Sequence, residues 1–250
     1  MRRTVILSGS GVALVGAVLA FGAWTALCSE PPAPASLTEA LRQATPGAAR
    51  PIALAPAAPT PELASVPGSG SALADPAGRW AIVAGPSFVG YRVKENLAGL
   101  GTNIAVGRSN DVVATFAFDG RSVSELDVTV NLEALKSDDD RRDGQLRTQA
   151  LESARFPSAR FVIAPPFSIG TVPVEGEELH LILVGALTLH GVTRPVTAHV
   201  YGAHKGELAV VVGTTEVLFS DFGITPPQSI VLVSVDEHAT VEFQLVFKKA

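Results

Sequence analysis

Ser137-Asp138-Asp139-Asp140-Arg141-Arg142-Asp143 is the densest group of charged side chains in the sequence. Successive aspartates are of a type that collects a divalent cation, but calcium loops space their ligands at alternate positions around a sharp glycine turn. Here Arg141 and Arg142 sit beside the carboxylates, so the cluster reads as a capped helix start, where acids favour the N-terminus. Five histidines, at 180, 190, 199, 204 and 238, offer no close metal-binding pair. The spacing of five between His199 and His204 suits neither a strand face nor a helical turn. His190, before Gly191, is placed either to meet a polar ligand head or to bond nearby backbone as a turn residue, and the habits of turn residues favour the second. His180 and His199 read as solvent-facing or locally satisfied.

Asp236 and Glu237 are adjacent, so on a strand they point to opposite sides and cannot share acid–base work. Gly99-Leu100-Gly101-Thr102-Asn103 lacks dinucleotide-binding spacing and reads as a flexible strand connection. The sequence has no Gly-x-Ser-x-Gly elbow and no cysteine nucleophile. It therefore reads as a non-enzyme with no cofactor and no metal. Loss of some turnover on substituting His190 and Asp221 would be needed to argue otherwise.

The elements that position these residues are mostly strands. Strand-like runs occupy 87–94, 112–118, 124–132, 160–167, 178–189, 195–202, 207–219 and 240–248. Leu126, Val128, Val130 and Leu132 oppose Glu125, Asp127, Thr129 and Asn131, while Val241, Phe243, Leu245 and Phe247 oppose Glu242 and Gln244. A period of two with one apolar face marks an antiparallel sheet with a core on one side and water on the other. Asp119-Gly120, Glu175-Gly176, His190-Gly191 and Lys205-Gly206 supply the turns. About eight strands and little helix predict an all-β closed barrel or sandwich. One helix is expected over 140–153, with Leu146, Ala150 and Leu151 on one face and Phe156-Pro157 ending it.

Residues 4–27 carry no charge and follow Arg2 and Arg3, which is long enough for a bilayer-spanning helix. Residues 1–28 thus read as an uncleaved signal anchor, or else a cleaved signal peptide. The first places the rest of the chain outside the cytoplasm on a single-pass cell-membrane anchor; the second makes it secreted or periplasmic. Cys28 is the only cysteine, which excludes a disulfide framework, and Leu27 before it disfavours lipidation. Residues 29–78 hold ten prolines and fourteen alanines and no aromatic residue, the composition of a disordered spacer, with a helical turn conceivable over 37–43. Residues 79–250 form the folded domain. They contain 15 basic and 20 acidic side chains, the whole of the net charge of −5, and this balance argues against nucleic acid and gives no polybasic patch for anionic lipid heads.

Over about 80–249 the chain resembles the YceI-like, polyisoprenoid-binding family of lipocalin-like barrels. The likeness rests on Trp80, Ser87 and Tyr91-Arg92-Val93, then Leu132, Leu135, Ser137, Arg142-Asp143 and Leu151. It continues through Phe156-Pro157-Ser158-Ala159-Arg160-Phe161, Gly185-Ala186-Leu187-Thr188-Leu189-His190-Gly191-Val192-Thr193-Arg194-Pro195-Val196 and Asp221-Phe222-Gly223. The resemblance implies an eight-stranded antiparallel barrel with one short helix, lined by apolar side chains that hold a polyisoprenoid or quinone-like chain. The lining expected here is Phe88, Tyr91, Val93, Phe116, Phe118, Phe156, Phe161, Leu187, Phe222 and Phe243. Pro86 and Glu95-Asn96 depart from a histidine and a lysine-histidine region common in the family, which puts any head-group contact there in doubt. A barrel of eight strands has room for filling side chains or for one small ligand. The expectations are therefore a membrane-tethered binding or carrier protein for a long-chain hydrophobic lipid, or a structural or stress-related interaction module with a filled barrel. Either is compatible with a homo-oligomer.

Overall fold

The alternating runs form antiparallel strands. The computed structural model describes residues 30–44, 76–163, 165–170, 172–227 and 232–250. The long strands are β1 (Gly78–Ile82), β2 (Phe88–Leu97), β3 (Gly101–Ser109), β4 (Val112–Phe118) and β5 (Ser122–Asn131), and the two-residue β6 (Lys136–Ser137) follows. Beyond them come β7 (Ser158–Val162), the two-residue β8 (Phe167–Ser168), β9 (Leu179–Leu189), β10 (Val192–Lys205), β11 (Leu208–Leu218), β12 (Leu232–Val235) and β13 (His238–Lys249). The helices are α1 (Leu37–Gln43) and α2 (Asp140–Gln145); a π-helical turn, Leu146–Ala150, extends α2, and a 3-10 turn, Phe219–Phe222, follows β11.

Strands β1, β4, β5, β7, β9, β10, β11 and β13 pair in that order, and β1 returns to β13, closing an eight-stranded ring. Closure leaves no sheet edge exposed along the ring. One edge of β13 is shared: its C-terminal residues pair with β1, and Thr240 to Gln244 pair with β2. The β2–β3 hairpin therefore leaves the ring as a flap, bordered by β12 on β2 and by β6 on β3. All eight expected runs carry strand. The run at 87–94 belongs to the flap, however, and the ring takes the short β1 as its eighth member. The Gly99–Asn103 stretch, read as a connection, begins β3 at Gly101.

The expected helix over 140–153 is α2 plus its π-helical turn. Asp139 caps it, accepting from the Arg141 backbone N–H at 2.8 Å, and Leu146, Ala150 and Leu151 join the main core. The acidic cluster is consumed by this start. Arg142 reaches Asp138 at 2.5 Å, and Asp143 accepts from the Ser137 hydroxyl at 2.7 Å and its backbone N–H at 3.0 Å.

Part of the stretch read as a spacer is folded. Ala33–Ala250 forms one compact unit, in which α1 lies on the outside of the barrel. Ser36 caps α1 through the Glu39 N–H. Leu37, Ala40 and Ala44 pack on Ala203, Val210, Val212 and Val246, outward-facing residues of β10, β11 and β13. Burial of this second apolar face outweighs the low regular-structure content of a Pro/Ala-rich sequence. Gln244 donates to Gln43 at 3.0 Å and to the Pro86 carbonyl at 2.6 Å. Leu37→Ala is expected to cost about 2–3 kcal/mol in urea denaturation, the lower range for a buried leucine, because one side of the site is a single short helix. An unchanged midpoint would mean that 33–44 adds nothing to stability. Among the described residues no helix is long and apolar enough to cross a membrane. Residues 4–27, and 45–75 of the expected spacer, lie outside the described residues.

Candidate functional site

Inward-facing positions of the ring divide into three zones. At one end Trp80 stacks on Phe116 with centroids 5.8 Å apart, and Phe116 meets Phe247 edge-on at 4.9 Å. With buried Phe118 these rings form an aromatic plug. The opposite end holds buried Leu187, Leu189, Val217 and Phe222, together with Leu132, Leu135 and Ala150 from the α2 region. Between them Ile163, Leu183, Ala198 and Val200 form a buried cluster. Leu126, Phe161, Val211 and Phe243 pack against it part-buried, and Val89, Tyr91, Val196 and Val241 pack part-buried against the main core.

Three of the rings in this middle zone lie over glycines. Tyr91 faces Gly107 across the β2–β3 ladder, and Phe243 faces Gly213 across β11–β13. A Cβ on Gly107 would fall 2.5 Å from Tyr91 Cε1, and one on Gly213 would fall 2.5 Å from Phe243 Cζ. Phe161 occupies the same kind of seat over Gly185. Glycine inside a strand marks such close approach. Each ring lies in the space a side chain would take, and Phe161 and Phe243 also pack on the buried Ile163, Leu183, Ala198 and Val200.

The electrostatics keep the wall uncharged. Burial pushes the Tyr91 hydroxyl well above its ordinary pKa, Arg142 opposing and nearby carboxylates adding to the effect, so it stays neutral across the physiological range. Further along the inner face of β2, Glu95 is buried and pairs with Arg142 at 2.9 Å, while Asn103 donates to it at 2.8 Å. Burial works against the Arg142 charge, but Glu95 and Asp138 outweigh it and raise its pKa. This position, where the family commonly differs, is thus a closed ion pair.

The expected lining residues separate accordingly. Tyr91, Phe161 and Phe243 line the middle, and Val93 continues the inner face of β2 by alternation. Phe116 and Phe118 belong to the plug, and Leu187 and Phe222 to the buried end. Two expectations fail. Phe88 shares the outer face with Gln244, its partner on β13, and lies beneath the Arg108 guanidinium at 4.2 Å. Phe156 lies at the β9–β10 turn, edge-on to His190 at 4.6 Å and against Gly191. Phe88 falls on the even-numbered side of β2, and Phe156 precedes β7, so neither can point inward. Gly90 packs on Arg108 and the Gly107 backbone on that same outer side. The aliphatic lining Val89, Leu126, Val196, Val211 and Val241 was missed; the alternation that includes Val241 and Phe243 carried the signal.

His190 resolves as a turn residue. His190 and Gly191 have φ of 51° and 75°, the paired positive values of a type I′ hairpin. Its Nδ1 lies 3.0 Å from the Phe222 carbonyl, tying the turn to the 3-10 segment. His180 and His199 are exposed on the outer face, His180 stacked on Tyr201 at 4.5 Å.

The ring is a closed antiparallel barrel with an apolar, aromatic-rich interior. The YceI-like domain model matches residues 80–247, and the chain belongs to that family. A UPF0312 protein of Shewanella denitrificans is 35% identical over 141 residues, covering 53% of this chain and 70% of that protein. Protein YceI of Salmonella arizonae is 35% identical over 114 residues, covering 44% of this chain; the match spans 53% of the relative's length. Among solved structures, a polyisoprenoid-binding domain from Saccharophagus degradans superposes with a TM-score of 0.52 at 13% identity, covering 68% of this chain and 98% of that one. That likeness shows the shared fold. The strap at 33–44 lies outside the family match.

Proposed function

We propose that the barrel interior holds the hydrocarbon chain of a polyisoprenoid or similar long lipid, and that the protein carries or sequesters this lipid outside the cytoplasm on its N-terminal apolar segment. The observation that carries the reading is the middle zone: inward, part-exposed, uncharged side chains with three rings laid flat over Gly107, Gly185 and Gly213. Burial of isoprenoid chain contributes roughly 25 cal/mol per Å² without any catalytic group. The family membership and the uncharged run at 4–27 support the two halves of the proposal.

The test is organic extraction and native mass spectrometry of the full chain, beside a Val211→Trp variant that places bulk in the middle of the lumen. An isoprenoid or quinone recovered from the parent and lost from the variant is the expected result. A parent chain that leaves the membrane fraction without lipid and takes up no added polyprenol would sink the carrier reading. It would move function to the outer surface.

A further inference from the structure

The outer part of the flap is an uncharged stretch of the surface. From Asn96 to Gly107 the β2–β3 hairpin contains no charged residue, and neither does β12, which pairs beside it. Leu100 at the hairpin tip is 39% exposed, Ile104 36% and Val233 of β12 69%. The polar side chains among them bond to one another. Asn96 donates to Ser234 at 3.1 Å and accepts from Thr102 at 2.9 Å, and Asn103 donates inward to Glu95. Exposed polar groups at a water-facing tip have no need of protein partners; groups entering an apolar medium must find them within the protein. The flanking charges, Lys94 and Asp236, sit at the base of the flap, where the Asp236 N–H donates to the Lys94 carbonyl at 2.9 Å. From Lys94 to the end of β2 at Leu97 is three residues of strand, about 10 Å, with the turn beyond it. Interfacial elements bury their apolar parts by about 5–10 Å, so the uncharged tip is long enough to enter while the charges stay wet. The inner face of β2 runs Val89, Tyr91 and Val93 up to the paired Glu95–Arg142, with Leu97 beyond it.

We propose that the β2–β3 hairpin tip and β12 form a lip that docks into the surface of a neutral lipid bilayer. The absence of basic residues on the lip fits an uncharged headgroup surface and excludes reliance on anionic lipid. Docking brings the barrel wall level with the acyl region, so a bilayer-resident chain can pass along β2 into the lumen. That use of the lip rests on the lipid-binding reading; the docking itself does not.

The test uses the full chain with Leu100→Trp, reconstituted in phosphatidylcholine vesicles containing 6,7-dibrominated phosphatidylcholine. A Val184→Trp variant places the probe on the exposed outer face of β9 instead. The native Trp24 and Trp80 provide the same background in every sample. Bromolipid is expected to quench the added Trp at 100 and to leave the one at 184 unaffected, and Val233→Asp should relieve the quenching at 100. No quenching at 100 beyond background, or quenching at 184 instead, overturns the proposal. Lipid extracted from the same samples separates the two readings. A chain that retains lipid without quenching at 100 refutes the lip and leaves the carrier, whereas quenching at 100 without bound lipid supports the lip and sinks the carrier.

Discussion

Glu242→Ala unfolds the protein at markedly lower denaturant, with an expected loss of about 3 kcal/mol, the lower end for breaking a buried ion pair. The Glu242 side chain is 1% exposed although it points out of the barrel. Arg92 reaches it at 2.8 Å and Arg108 at 2.7 Å, and the Ala35 N–H donates to it at 3.2 Å. Arg108 also donates to the Ala33 carbonyl at 2.6 Å. One carboxylate thus joins β13, β2, β3 and the strap. Its removal takes from both guanidiniums the buried carboxylate they share. The lower end applies because these arginines keep 15% and 27% exposure and can rehydrate as the strap lifts. Glu242→Gln retains acceptor geometry on one side and should lose less. Hydrogen exchange at 33–44 should rise in both variants, and more in the alanine. A Glu242→Ala protein with unchanged stability and a protected strap would show that the triad is compensated by hydration in the native state.

If the interior holds lipid, Gly213→Val is expected to reduce it. The new Cβ meets the Phe243 ring at 2.5 Å and the His199 backbone carbonyl still closer. The ring can swing off its seat, but the carbonyl belongs to β10, so the local β10–β11 pairing must shift as well. Overpacking of this kind costs about 1–3 kcal/mol. The larger effect falls on lipid: a ring swung off its seat takes up space in the middle zone, and retention of extractable lipid is expected to drop at least about tenfold, equivalent to about 1.4 kcal/mol of binding. Gly213→Val with Phe243→Leu removes the ring that clashes and should restore lipid. Full retention in the single variant would mean that the chain occupies some other part of the interior.

Most of the strand pattern was legible because its signal is local. Leu126, Val128 and Val130 alternate with polar neighbours, and alternation alone assigns one side to a core. The His190-Gly191 turn was equally legible, since only a hairpin with two positive φ angles suits that pair. β1 and the start of β3 were not. β1 is five residues long and owes its place to pairing with both β4 and β13. Gly101 has weak strand preference and is held by the ladder to Leu97. Phe88 and Phe156 illustrate a second limit. Composition says that aromatic rings seek burial; it does not say on which side of a wall. Phe88 is buried on the outer side beneath the Arg108 guanidinium.

What the sequence by itself determined is the family, the antiparallel strand pattern and the capped start of α2. Each depends on residue types at short spacing, where φ/ψ preference and alternation act directly. Tertiary structure alone decided that 33–44 belongs to the folded unit, that Glu242 is buried on an outer face, and which rings coat the lumen. These depend on partners far apart in the chain: Ala33 against Arg108, Gly213 against Phe243. No local preference encodes such a partner. It is chosen when closure of the ring brings a particular register of strands together and leaves one outward patch of Val210, Val212 and Val246 for α1 to cover.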